Sequence, residues 1–192
     1  MLLQASLAIS NTERWALEWG DNDPPAALKG LLRTDAYEVA VVDSFHRIAR
    51  RYFEQNGYYA AWERPFPTGQ QGRPYSVDVS LFHSASGTEV RLELGGYTKA
   101  KLKSDAKKLH DLTSQTLSGF GTVQNHVLLW DLMSSRLTEK AATRAMKKFK
   151  SHAADVSTGG LLVEPLVASA IDLFVAEPGK HKHAVVALFD IG

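Results

Sequence analysis

The stretch Tyr75–Leu102, YSVDVSLFHSASGTEVRLELGGYTKAKL, decides the fold. Two runs within it alternate apolar and polar residues, Tyr75–Phe82 and Thr88–Leu94, and Ser84-Ala85-Ser86-Gly87 joins them. Such alternation marks half-buried strands, and a short glycine-ended connection makes them an antiparallel hairpin. With Ser84 opposite Gly87, Val77 meets Leu94, Val79 meets Leu92 and Leu81 meets Val90, so one face is wholly aliphatic. The other face pairs Asp78 with Glu93, Ser80 with Arg91 and Phe82 with Glu89. A slip of one residue would mix the faces, so the apolar pattern itself selects this register.

The rest of the chain is read outward from the hairpin. Upstream, Val41, Phe45, Ile48 and Tyr52 recur at helical spacing between Thr34 and Gln55. Thr34 or Asp35 caps the start of that helix and Asn56-Gly57 ends it. The aromatic run YYAAWERPF then reads as a strand closed by Pro65 and Pro67. Downstream, Thr98 caps a helix with a stripe of Leu102, Ala106 or Leu109, and Leu112. VQNHVLLWDL reads as a buried strand. Thr138 opens a further helix with Ala141, Ala145, Met146 and Phe149 inward, and a hairpin turning near Pro178-Gly179 completes the chain. Near the start, Ser10 to Glu13 forms a capping box for a short helix carrying Trp15 and Trp19, and AALKGLLR suggests another. The helix between the third and fourth strands requires a right-handed parallel crossover, whereas the short loops before it require antiparallel neighbours. The expectation is an α/β fold, a three-layer sandwich around a central mixed sheet. It forms a single domain: residues 1–33 a helical extension, 34–132 the αβββαβ core, and 133–192 the added helix and hairpin.

Composition fits this picture. The 192 residues are 44% hydrophobic and 22% charged, enough for a sizeable core. There is no cysteine, which excludes disulfides, thiolate metal sites and cysteine nucleophiles and agrees with a cytoplasmic setting. No apolar run approaches membrane-spanning length, and the start lacks the basic leader of a secretory signal, so no membrane partner is expected. The net charge of +1 conceals a partition. Residues 99–152 carry 11 Lys and Arg against 4 acids, leaving 11 against 17 elsewhere. Such asymmetry fits either a surface for a polyanion or two solvated helix faces.

Asp78 opposite Glu93 is the chemical signal. Opposed carboxylates repel by roughly 0.2–1 kcal/mol on an exposed sheet. A magnesium or manganese ion held by the pair would remove the repulsion; Arg91 on the same face would neutralise it without any ion.

On these residues, SVDVSLF followed by TEVRLELGGYTKAKLKSDAKKLHDL, the chain resembles the PD-(D/E)XK nuclease superfamily, the restriction-endonuclease-like fold. The resemblance covers Thr34 to Leu132 and lies in element order and motif placement. It implies that Asp78 is the metal-binding acid of the second strand and that Glu93 is the acid of the (D/E)-x-K motif on the third. It also implies the carbonyl of Leu94 as a further metal ligand, Glu38 as the helical acid, and Mg²⁺ or Mn²⁺ as cofactor. The motif lysine is absent: Gly95 stands in its place. Lysines in this superfamily migrate to neighbouring elements, so Lys99 or Lys101, folding back from the start of the next helix, and Lys107 or Lys108, reaching across the sheet, are the candidate replacements. Lys103, Lys108, Arg144, Lys147 and Lys148 are candidates for holding the phosphate backbone of nucleic acid without reading its sequence.

Two readings remain open at this stage. One is a metal-dependent nuclease with a relocated lysine. The other is a catalytically inactive module on the same scaffold, binding nucleic acid or a protein partner. His181 and His183, two apart on a strand, suggest either a metal site or an exposed hairpin tip. Trp62 with Tyr58 and Tyr59 serves either as a platform for bases or as core packing.

Overall fold

The computed structural model describes residues 1, 3–5, 7–9, 35–67, 74–133, 138–173 and 182–192. The expected helices around Trp15 and over AALKGLLR, the turn at Pro178-Gly179 and His181 lie outside these residues. In chain order the elements are α1 (Asp35–Glu54), β1 (Tyr58–Phe66), β2 (Tyr75–His83), β3 (Thr88–Gly96), α2 (Lys99–Leu112), β4 (Thr122–Met133), α3 (Glu139–Val156), β5 (Val163–Leu173) and β6 (Lys182–Ile191). The strands form one six-stranded sheet in the order β1-β2-β3-β4-β6-β5. Only β3 and β4 pair in parallel, joined by α2; the other neighbours are antiparallel. The protein is thus α/β, with an open mixed sheet flanked by helices. No helix among the described residues is long and apolar enough to cross a membrane.

Two apolar clusters divide the core. Val41, Val42, Phe45 and Ala49 of α1 pack with Val79, Leu81, Leu92, Leu94, Leu128, Trp130 and Val186. Buried Ala5, Ala8 and Ile9, from helical residues 3–5 and 7–9, join them. Leu102, Ala106 and Leu109 of α2 and Phe149 of α3 pack with Val127, Leu129, Val185, Ala187 and Phe189. Alternate residues of β4 and β6 go to opposite clusters, as the period of two requires. The α1 stripe turns slightly from its expected line: Ala49 is buried, whereas Tyr52 is half exposed. His183, read as either a metal ligand or part of an exposed tip, is fully buried on β6. Tyr59 and Trp62 lie on the edge strand largely outside the core, with Trp62 against the His46 ring at 5.6 Å.

The hairpin register is the one read from the apolar alternation, from Val79↔Leu92 to His83↔Thr88. Its turn closes through Gly87, whose N–H donates to the Ser84 carbonyl at 3.4 Å and whose φ of 62° suits glycine. Beyond Val79 the aliphatic face does not continue as expected. Val77 and Phe66 pack on the α2 side, although Val79 and Ala60 pack on the α1 side. The change occurs where β1 holds Glu63 at φ 46°, and there the β1–β2 ladder omits the pair Glu63 with Asp78. A non-glycine residue in this region costs about 1–3 kcal/mol, and such strain gathers at functional sites. The consequence is local: Asp78 leaves the regular pleat.

Candidate metal and phosphate site

The β2–β3 ladder stops one pair short of Asp78 and Glu93. In its place Oδ2 of Asp78 accepts the backbone N–H of Leu94 at 2.8 Å. The carboxylate therefore lies between the strands, beside Glu93, and α2 covers both. Glu93 is 2% exposed. Burial, and then the charge of Asp78, pushes its carboxyl from 4.5 up to about 8, against the pull of Lys108. Burial likewise raises Asp78, opposed by the Leu94 N–H and by Lys108 and Lys101.

Three side chains of α2 complete the cluster. Lys108 Nζ lies 2.6 Å from Glu93 Oε2 and donates to the Ser76 carbonyl at 3.0 Å. Glu93 Oε1 is buried without a hydrogen-bond partner among the described residues. Lys101, one turn into the helix, pairs with Asp105 at 3.3 Å. Its side chain runs over Gly95: a Cβ built on that glycine would lie 2.8 Å from both Cδ and Nζ of Lys101, and closer still to Cε. Thr98 fixes the phase of the helix that delivers these groups, because its Oγ1 accepts the N–H of Lys101 at 3.0 Å.

The far end of α2 is anchored by the same hairpin. Arg91 is fully buried and grips Glu89 with two bonds, Nε to Oε1 at 2.7 Å and Nη2 to Oε2 at 3.1 Å. It also donates to the carbonyls of Leu112, at 2.6 Å, and Gln115, closing the helix end. Arg64 adds a second guanidinium to Glu89 and lies over the Phe66 ring at 4.3 Å. Arg91 is therefore a clamp, not the neutraliser of Asp78 and Glu93 that its strand face suggested.

The remaining sequence-predicted residues separate. Lys99 reaches Asp155 on α3 at 2.7 Å, and Lys107 reaches Asp111 at 2.7 Å on the outer face of α2. Neither approaches the acid pair, because their helical positions point away from the sheet. Lys108, expected either on the phosphate-binding surface or reaching across the sheet, lies in the acid cluster. Lys148 pairs with Asp131 at 2.8 Å and covers the Tyr97 ring. Lys103, Arg144 and Lys147 are exposed. The Glu38 side chain lies outside the described residues. Among those residues no three His, Asp or Glu side chains gather as a ready-made metal cluster. Asp105 was missed from the sequence; its signal is its place on the buried stripe between Leu102 and Leu109.

No family model, curated protein or solved structure matches the chain.

Proposed function

We propose that the chain is a divergent metal-dependent nuclease of the restriction-endonuclease-like type, hydrolysing phosphodiester bonds with Lys101 as its relocated lysine. One observation carries this reading: the Lys101 side chain fills the space that a residue-95 side chain would need, beside the acid pair. Gly95 is then room for the lysine rather than the loss of one. The order αβββαβ over α1 to β4, with the acids on the second and third strands, agrees with the resemblance.

The residues fit a divalent cation. The buried carboxylate of Glu93 and the half-buried one of Asp78 act on each other, Glu93 Oε1 has no hydrogen-bond partner among the described residues, and an ammonium already rests on Glu93 Oε2. Mg²⁺ and Mn²⁺ are commonly held by one or two carboxylates with the remaining places left to water and phosphate oxygens. Asp78 and Glu93 would hold the ion, with the Leu94 carbonyl as a further ligand. When bound, it would supply charge to the phosphoryl oxygens and lower the pKa of water. Lys101, held by Asp105, would place an ammonium against phosphate charge. Lys103, Arg144 and Lys147 would hold the nucleic-acid backbone. The absence of cysteine agrees with work in the cytoplasm.

The second reading, an inactive module that binds nucleic acid or a protein partner, draws on the Lys108–Glu93 ion pair, which sets a positive charge against one carboxylate without metal. Asp78→Asn separates the two, because an amide oxygen keeps the Leu94 hydrogen bond while the charge is lost. Purified protein is expected to cleave DNA or RNA with Mn²⁺, and D78N to abolish cleavage with an unchanged circular dichroism spectrum. Full-rate cleavage by D78N would overturn the nuclease reading; metal-dependent cleavage lost in D78N would overturn the inactive one.

A further inference from the structure

We infer that the Lys108 ammonium is a built-in competitor for the cation's place on Glu93, so that residue 108 sets the divalent-ion affinity of this site. The inference rests on the metal-site reading above and goes beyond it by giving one residue control over the ion. Lys108 Nζ holds Glu93 Oε2 at 2.6 Å, at one end of a carboxylate whose other oxygen is buried without a hydrogen-bond partner among the described residues. A divalent ion shared with Asp78 needs that carboxylate and adds two positive charges next to an existing one. At contact distance like charges repel strongly even where the surroundings screen them in part. Lys108 must therefore leave as the ion enters. Two features permit this. Its side chain is 21% exposed, so a path to solvent exists, and its second bond is to a strand carbonyl, Ser76 O, rather than to an acid. Lys101, by contrast, has an acid of its own helix, Asp105, beside its ammonium at 3.3 Å.

The test is a calorimetric Mn²⁺ titration of the full chain at pH 8.5 in four forms: wild type, Lys108→Met, Lys108→Arg and Asp78→Asn. K108M is expected to bind Mn²⁺ about tenfold more tightly or better, the relief of part of that repulsion. K108R keeps the charge and should stay near wild type, while D78N should lose the heat of binding. If K108M fails to fold, Lys108→Gln takes its place in the comparison. Equal or weaker binding by the neutral variant, with wild-type binding intact and lost in D78N, would overturn the competition while leaving the metal site standing. No Mn²⁺ binding by either wild type or the neutral variant would overturn the metal site and this inference together.

Discussion

Replacing Glu93 by glutamine should stabilise the protein in alkaline solution while disabling the site. Burial and the neighbouring Asp78 raise the carboxyl from 4.5 to about 8. The sign follows from proton binding. Between those values the folded chain holds a proton that the unfolded chain has released, so stability falls as pH rises across the interval and levels off above it. Each pH unit across it corresponds to about 1.4 kcal/mol, which gives an upper bound of roughly 5 kcal/mol. Relaxation around a buried charge and the loss of the Lys108 contact leave an expected gain for Glu93→Gln of about 1–3 kcal/mol at pH 8.5. In a domain of this size that is a rise of several degrees in Tm. Thermal melts at pH 5.5 and pH 8.5 measure it: wild type should lose stability between the two, and the variant should lose much less. Mn²⁺ should restore the wild type at pH 8.5 and leave the variant unchanged. A wild-type Tm that rises from pH 5.5 to pH 8.5, or a variant less stable than wild type at pH 8.5, would refute this account of the buried acid.

Gly95→Ala should displace Lys101, because the added methyl occupies the path of its side chain; cleavage should fall by an order of magnitude or more with Mn²⁺ affinity retained, as read by calorimetry beside a nuclease assay. Arg91→Met removes one partner of a buried ion pair and the closure of α2, so urea unfolding should show a loss of about 3–5 kcal/mol. If the exposed residues Lys103, Arg144 and Lys147 hold phosphate, each alanine substitution should reduce by about 1 the slope of log affinity against log salt, measured by fluorescence anisotropy on labelled DNA and RNA.

The hairpin register was legible because Val79, Leu81, Val90 and Leu92 leave only one way to gather aliphatic residues on a face. The buried stripe of α2 was legible for a similar reason, with Thr98 marking its start. What was hidden came from positions where local pattern and three-dimensional demand part. The change of face at Val77 depends on the left-handed backbone of Glu63, and glutamate carries no sign of that conformation. Asp105, between Leu102 and Leu109, carries no sign in the apolar stripe that it pairs with Lys101. Arg91 and Glu89 alternate as surface residues would, yet both are fully buried, because each satisfies the other and the end of α2 absorbs the remaining donors. Gly95 was read as an absent functional group; its use is visible only when another side chain is seen to cross it.

The anchoring of α2 at both ends bears on where the gene can change length. From Gly95 to Lys101 the chain passes without slack through Tyr97, whose N–H donates to the Trp130 carbonyl at 2.7 Å, and then through the Thr98 cap. One extra residue there would turn the helix by about 100° and swing Lys101, Asp105 and Lys108 out of the acid pair together. An extra residue in the turn at 116–121, beyond the grip of Arg91, would be taken up at the surface. Length variation is therefore expected to collect after the helix and to be excluded before it, a pattern that amino-acid replacement alone would not reveal.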